Sequence, residues 1–224
     1  MPAVVFVHGA GKAGAEAWPL QAAHAARGWS FLGRDPRGDD AARDADRLLD
    51  LVSSTGGGHL VAHSYGANAA ILAAQREPAR VLSLALLEPA CFDLARGMPA
   101  VEAHVADMAP AFAVADDPSV SGRDFFGLFA QGMGFEPPAD WDERLEDNAA
   151  RLRQLSPPWG VGLRPEVGLP VRTLVLTAPS SPLYAETARS LAALGAVHRT
   201  VPGAGHRLQD DPRTTELLQG FWEA

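Results

Sequence analysis

The feature that most constrains this chain is a regular alternation of short apolar runs with longer segments of helical spacing. Six runs rich in β-branched residues or leucine recur along the sequence. Strands covered by helices on both faces of a parallel sheet read as continuous apolar runs, and each parallel crossover needs a long connection. The alternation therefore predicts an α/β fold with about six strands in a mainly parallel sheet. The predicted strands are residues 4–7, 29–32, 60–62, 81–87, 171–177 and 197–201.

The first two connections have the length and pattern of crossover helices. Residues 16–27 predict a helix that ends near Gly28, and residues 40–51 place their leucines on one apolar stripe. Each connection is long enough for a right-handed strand-helix-strand unit. With 224 residues the chain can bury one full-sized core, so we expect a single domain that carries an insertion.

The interval 91–169 breaks this alternation. It contains the proline pairs 137–138 and 157–158, and its phenylalanines and leucines recur at helix-like spacings. We expect a helical cap or lid inserted over the strand ends, with residues 1–90 and 170–224 forming the α/β core. The alternative is that the interval simply extends the main domain.

Composition and charge exclude several classes of protein. The chain is 47% hydrophobic and 21% charged, and no apolar run approaches the roughly 20 residues of a membrane span. The formal net charge is −8 and the arginines are scattered, so we expect neither nucleic acid nor membrane as a partner. The lone Cys91 cannot form an internal disulfide, and no metal or cofactor is expected. Because a strand follows Met1 almost at once, without a secretory signal, we expect a cytoplasmic protein whose oligomeric state stays open.

One strand is followed directly by a serine and then by a helix of small residues. In the stretch His59–Asn68, the strand reaches Ser64, with Ala62 two residues before it and Gly66 two residues after it. Small neighbours allow the tight turn that exposes a hydroxyl above a sheet at a helix N-terminus, where developing negative charge is favoured. Ser64 is therefore a candidate nucleophile. The alternative is that it only caps the helix.

Three further segments give this turn a context. The first strand ends in the loop His8-Gly9-Ala10-Gly11, the second is followed by Asp35-Pro36-Arg37-Gly38, and the last by Pro202-Gly203-Ala204-Gly205-His206. Together with Ala62-His63-Ser64-Tyr65-Gly66, these segments resemble the α/β-hydrolase superfamily in order and rough spacing. The resemblance covers about residues 4–90 and 171–222 and implies the α/β-hydrolase fold. The two-strand ribbon at the front of larger members is missing, so the sheet should begin at Val4 and hold six parallel strands.

The resemblance also implies roles for individual residues. Ser64 matches the nucleophile and His206 the general base that takes its proton. The backbone N–H groups of Ala10 and Tyr65 match the oxyanion hole, which receives the charge of the attacked carbonyl.

Only one of the seven histidines has a catalytic context. His206 follows the last strand in a Gly-x-Gly-His pattern. We expect His8 to order the oxyanion loop and His63 to support the turn. The remaining histidines are interpreted as surface or core residues: His24, His59, His104 and His198.

The acid that would orient the imidazole is not where the superfamily mostly places it. After the penultimate strand, Ser181 occupies the position expected for aspartate. Some members carry the acid after the strand that follows the nucleophile helix, and Glu88 ends that strand here. Glu88 is therefore the predicted acid and Asp93 the second choice, whereas Asp210 and Asp211 are expected to cap the final helix.

This constellation predicts acyl transfer to water. A serine at the turn argues against epoxide hydrolases and haloalkane dehalogenases, which need a carboxylate nucleophile. We predict an esterase-like serine hydrolase that cleaves an ester, thioester or lactone, with an apolar portion of the small-molecule substrate lying against the phenylalanines of the insertion. One alternative is a non-catalytic binding module, favoured by the missing acid at Ser181. Another is a hydroxynitrile-lyase-like enzyme, for which Lys12 is the only lysine.

Overall fold

The computed structural model describes residues 2–24 and 28–223. Its sheet has six strands, all parallel, in the order β2-β1-β3-β4-β5-β6. The predicted sheet is therefore confirmed, and the strand bounds agree with the prediction to within two residues. The strands are β1 (Ala3–Val7), β2 (Trp29–Phe31), β3 (Gly58–His63), β4 (Val81–Leu87), β5 (Thr173–Thr177) and β6 (Val197–Thr200).

Alternate residues of the central strands supply two separate apolar cores. In β1, Val5 and Val7 belong to the core on one face of the sheet, and Val4 and Phe6 belong to the core on the other. Successive side chains of a strand point to opposite faces, so both halves of each apolar run are buried. The first core includes residues of α2 (Ala41–Ser53), α3 (Ala67–Arg76) and α7 (Pro182–Ala193). The second includes Leu218 of α8 (Pro212–Glu223).

Of the two predicted crossover helices, one is present as predicted and the other is interrupted. The helix predicted at 40–51 is α2, and the Asp40 carboxylate caps it by accepting a hydrogen bond from the Arg43 N–H at 2.8 Å. The helix predicted at 16–27 is broken: a 3₁₀ turn at Gly14–Ala17 is followed by α1 (Pro19–Ala22). Pro19 fits the first helical position but lacks the N–H that would continue the preceding turn. Residues 25–27 of that prediction lie outside the described residues.

Three longer helices fill the connection between β4 and β5. They are α4 (Pro99–Ala113), α5 (Gly122–Gly132) and α6 (Glu143–Arg153). They enclose an apolar cluster of their own, with Phe125, Phe126 and Leu152 among its buried members. This segment therefore has a core separate from the two cores of the sheet. None of the helices in the described ranges combines the length and the apolar character needed to cross a bilayer.

Gly66 lets the start of α3 pass close to the end of β1. A β-carbon on Gly66 would overlap the carbonyl oxygen of His8 and lie 2.8 Å from Cγ1 of Val7. Both atoms belong to the neighbouring strand end, which cannot move without disturbing the sheet. The small residue two positions after Ser64 is thus required by packing.

Replacing Gly66 by alanine should lower the free energy of unfolding by about 1–3 kcal/mol, the usual cost of forcing extra atoms into a packed site. Urea denaturation would measure the change. Gly220→Ala in α8 is a matched control, because a β-carbon at Gly220 would have no neighbouring heavy atom within 4 Å. That variant should be neutral or stabilised by about 0.5–1 kcal/mol. Equal stability of the two variants would contradict the packing argument.

Candidate active site

Ser64 sits at the junction of β3 and α3 in a strained backbone conformation. Its φ is +51°, in the left-handed region that non-glycine residues rarely occupy. The Ser64 carbonyl accepts a hydrogen bond from the Ala90 N–H at 3.1 Å. The Asn68 side chain donates to the carbonyls of Tyr65 and Ala90, at 3.2 and 3.0 Å. Such strain persists only where the surroundings over-determine it, and these bonds fix the turn to the loop after β4.

Glu88 follows β4 and has the second positive φ among the described non-glycine residues, +46°. Its Oε1 accepts a hydrogen bond from the Ala178 N–H at 2.7 Å, and its Oε2 lies 3.3 Å from Nδ1 of His206. Glu88 is 1% exposed, whereas the His206 side chain is 42% exposed. The buried carboxyl group is therefore held by the end of β5 and can in turn orient the imidazole.

A second histidine supports the loop that carries His206. Nε2 of His63 donates to the His206 carbonyl at 3.0 Å, and the two ring centroids are 4.7 Å apart. Burial, together with the charge of His206, lowers the pKa of His63 to about 3. His63 is consequently neutral at physiological pH, and its hydrogen bond ties the end of β3 to the loop that carries His206.

Tyr184 contacts both central residues, although no motif in the sequence singles it out. Its ring stacks on His206 with a centroid distance of 4.9 Å and an interplanar angle of 19°. Burial raises the pKa of the Tyr184 phenol, and a hydrogen bond with the Ser64 side chain opposes that effect. No hydrogen bond joins the Ser64 hydroxyl directly to His206 within the described residues. Tyr184 is the third residue of α7 and reaches the site through the packing of that helix.

The other acidic candidates are used elsewhere. The Asp93 carboxylate accepts hydrogen bonds from the N–H groups of residues 160–162 at 2.6–3.1 Å, which ties down the loop after α6. Asp210 pairs with Arg207, and Asp211 accepts from the backbone and side chain of Arg213 at the start of α8. Of these acidic candidates, only Glu88 lies beside His206.

Ser181, at the position where the superfamily mostly places aspartate, caps a helix. Ser181 is the N-cap of α7, where its hydroxyl accepts a hydrogen bond from the Tyr184 N–H at 3.5 Å. A cap of this kind satisfies one of the free N–H groups at the helix start. Ser181 therefore begins the helix that carries Tyr184.

The loop after β1 passes directly beside the serine. A β-carbon on Gly9 would lie 3.2 Å from Cβ of Ser64, so the backbone at Gly9 runs beside the turn that carries Ser64. Nδ1 of His8 donates to the Gly9 carbonyl at 2.8 Å, and burial lowers the pKa of His8 to about 4. Tyr65 is fixed from the opposite side, since its hydroxyl donates to the Asp39 carbonyl at 3.0 Å.

These elements meet at one cavity of about 330 Å³. Ser64, His206, Ala10 and Tyr65 line it, and so does Tyr184. The wall contributed by the helical segment between β4 and β5 is largely apolar, with Met108, Phe112, Phe126, Phe129, Met133 and Phe135. In the part of the chain that the structure describes, no group of three or more His, Cys, Asp or Glu side chains is arranged to hold a metal ion.

A parallel sheet with a strained serine turn after its third strand, and a histidine loop after its last, defines the α/β-hydrolase class of protein. The model of the "Alpha/beta hydrolase family" matches residues 4–216, and the chain therefore belongs to that family. No curated protein matches the sequence.

Solved structures from bacteria share this fold at low sequence identity. NosK from Streptomyces actuosus is 23% identical with a TM-score of 0.61, over 99% of this chain and 97% of that one. MenH from S. aureus is 15% identical with a TM-score of 0.63, over 99% and 93%. The carboxylesterase CesB (YbfK) from Bacillus subtilis is 16% identical with a TM-score of 0.59, over 99% and 83%.

The two buried histidines should make the protein less stable in mild acid. His8 and His63 have lowered pKa values when folded, whereas unfolding restores a value near 6.5. The unfolded chain therefore binds more protons as the pH falls from 6.5 to 5, and each histidine can remove up to about 1.4 kcal/mol per pH unit from the free energy of unfolding. Urea titrations across that range would measure the slope.

His63→Asn should reduce this slope, because it removes one of the two histidines whose pKa values are lowered most among the described residues. His24→Gln provides the control, since His24 lies on the turn after α1 and does not line the cavity. That variant should keep most of the wild-type slope. A slope unchanged by the loss of His63 would contradict its neutral state in the folded protein.

Proposed function

We propose that the chain is a serine hydrolase that cleaves a carboxylic ester, thioester or lactone through an acyl-enzyme on Ser64. The observation that carries this proposal is the contact between Glu88 and His206 at the cavity that Ser64 also lines. Together with the Ser64 hydroxyl on its strained turn, these two side chains supply the three groups that acyl transfer requires: an acid, an imidazole and a hydroxyl.

The reaction would begin with proton transfer from Ser64 to Nε2 of His206. The serine oxygen then attacks the carbonyl carbon, and the oxyanion accepts hydrogen bonds from the N–H groups of Ala10 and Tyr65. His206 gives its proton to the departing alcohol or thiol. A water molecule, deprotonated by His206, attacks the acyl-enzyme, and His206 returns this proton to the Ser64 oxygen as the acyl–oxygen bond breaks and the acid leaves.

Glu88 supports this sequence of steps by fixing the imidazole. With Nδ1 of His206 directed to Oε2 of Glu88, the proton on that ring sits at Nδ1 and leaves Nε2 free to accept. A carboxylate in this place also stabilises the imidazolium formed in each step. This contact supports the hydrolase over the binding-module alternative, which drew its support from the missing acid at Ser181.

Tyr184 sets a requirement on the first step. The Ser64 side chain interacts with the Tyr184 phenol, and among the described residues it makes no hydrogen bond to the His206 ring, so the Ser64–His206 hydrogen bond has to form when the substrate binds. Hydrogen bonds between catalytic groups are often loose without substrate and tighten in the complex. We propose that Tyr184 holds the resting serine and, by stacking on His206, keeps the imidazole in place during the exchange.

The helices α4 to α6 would serve as the cap over this site. Their phenylalanines and methionines line the cavity wall facing Ser64, which suits an apolar portion of a small-molecule substrate. No contact in the described residues favours the lyase alternative, whose lysine would have to be the exposed Lys12 of the loop after β1.

Purified protein should hydrolyse short acyl esters such as p-nitrophenyl butyrate and should be labelled by a fluorophosphonate probe. Ser64→Ala should abolish both signals, because the attacking oxygen is gone. Ser119→Ala, an exposed serine between α4 and α5, should keep both. A wild-type protein that neither turns over esters or thioesters nor reacts with the probe would favour the binding module.

Glu88→Gln should lower kcat by about 10⁴, the loss seen when the acid of such a triad is made neutral. Its Oε1 can still accept from the Ala178 N–H, so the fold should survive, and urea denaturation would verify this. Asp93→Asn should retain kcat, since Asp93 binds only the loop at 160–162. Full activity of Glu88→Gln with loss in Asp93→Asn would reverse the assignment of the acid.

A further inference from the structure

The charge of the cavity is opposite to that of the whole chain. The sequence carries 27 acidic and 19 basic residues. The described residues that line the cavity nevertheless include Lys12, Arg151 and Arg207 and no aspartate or glutamate. An apolar pocket that keeps cations and excludes carboxylates is electrostatically suited to an anionic ligand.

The three cations differ in what they contact. Arg207 is neutralised by Asp210, with N–O distances of 2.7 and 2.9 Å. Lys12 is exposed to solvent. Arg151 is half-buried, and no carboxylate lies within ion-pair distance of it in the described residues. Its hydrogen-bond partners are both neutral, the carbonyl of Ala10 and the side-chain oxygen of Asn148.

Keeping an unpaired guanidinium in this place has a cost. Burial lowers the pKa of Arg151, which means that its charged form is poorly solvated there. Arg34, a half-buried arginine near Arg151, is by contrast paired with Asp39. A buried charge is ordinarily matched by a counter-ion, and the charged partner missing from the protein can be supplied by a ligand.

Arg151 also lies close to the reacting centre. It donates to the carbonyl of Ala10, the residue whose N–H belongs to the proposed oxyanion hole. It follows Asn148 on the inner side of α6, next to Leu152 of the apolar wall. A planar guanidinium with free N–H donors binds a carboxylate through two parallel hydrogen bonds.

We propose that Arg151 is a carboxylate-binding subsite, and that the substrate is an ester or thioester whose acyl portion carries a carboxylate. The apolar middle of such an acyl group lies against the phenylalanines of the cap segment, while its carbonyl is held at Ala10 and Tyr65. This inference rests on the proposed function for the position of the scissile bond. The anion subsite itself can be tested without turnover.

The kinetic test compares the p-nitrophenyl monoester of adipic acid with its neutral methyl-ester counterpart. Wild type should prefer the charged ester in kcat/KM, and Arg151→Gln should reduce the charged-to-neutral ratio by about ten- to hundredfold, the usual value of a hydrogen bond to a charged group. Arg151→Lys should retain part of the preference. Arg144→Gln is the matched control, because it removes the same charge from α6 at a side chain that is 86% exposed.

The binding test uses Ser64→Ala protein and calorimetry with monomethyl adipate and dimethyl adipate. The monoanion should bind more tightly, and adding Arg151→Gln should remove that preference while leaving the diester unchanged. If wild type hydrolyses neither ester but this preference is present, the proposed function fails and the subsite remains. The subsite is overturned if Arg151→Gln leaves both ratios unchanged, if it weakens both ligands equally, or if Lys12→Gln carries the effect instead.

Discussion

The candidate site depends on the parallel register of β3, β4 and β5. His63 is paired with Leu87, and Leu87 is paired with Leu176, so β3 and β4 end at the same level and β5 ends one residue later. The next residues, Ser64 and Glu88, leave the sheet side by side, each with a positive φ. A shift of one residue would turn both side chains to the opposite face, because side chains alternate along a strand. Buried apolar residues on both faces make such a shift costly, and the register thereby positions the hydroxyl and the acid.

The sheet and the central residues could be predicted because their signals are local. An apolar run predicts a buried strand wherever it lies, and parallel strands bring their carboxyl ends to one edge. Ser64 follows such a run within a small-residue pattern, and His206 lies in a glycine-rich loop. Glu88 could be predicted because it ends a strand. The structure then places it at 3.3 Å from His206.

Tyr184 and Arg151 could not be predicted, since their importance arises only from tertiary packing. Each lies within a helix, in a sequence without a motif, and reaches the cavity because of how α7 and α6 pack. The interrupted helix at 16–27 has a local cause instead. Helical spacing continues through that segment, but Pro19 lacks a backbone N–H and starts a new helix after the 3₁₀ turn. Helical spacing alone therefore does not locate the break, although Pro19 marks it.

Glu88, the proposed acid, follows β4 and lies beside His206, whereas Ser181 after β5 is the N-cap of α7. The connection after β5, residues 178–181, contains no aspartate or glutamate. It can turn directly into α7, and Tyr184 enters the site one turn later. The N-cap at Ser181 thus starts the helix that places an aromatic ring against the imidazole of His206. A substitution at position 181 therefore acts on the start of α7 and, through it, on the placement of the Tyr184 ring against His206.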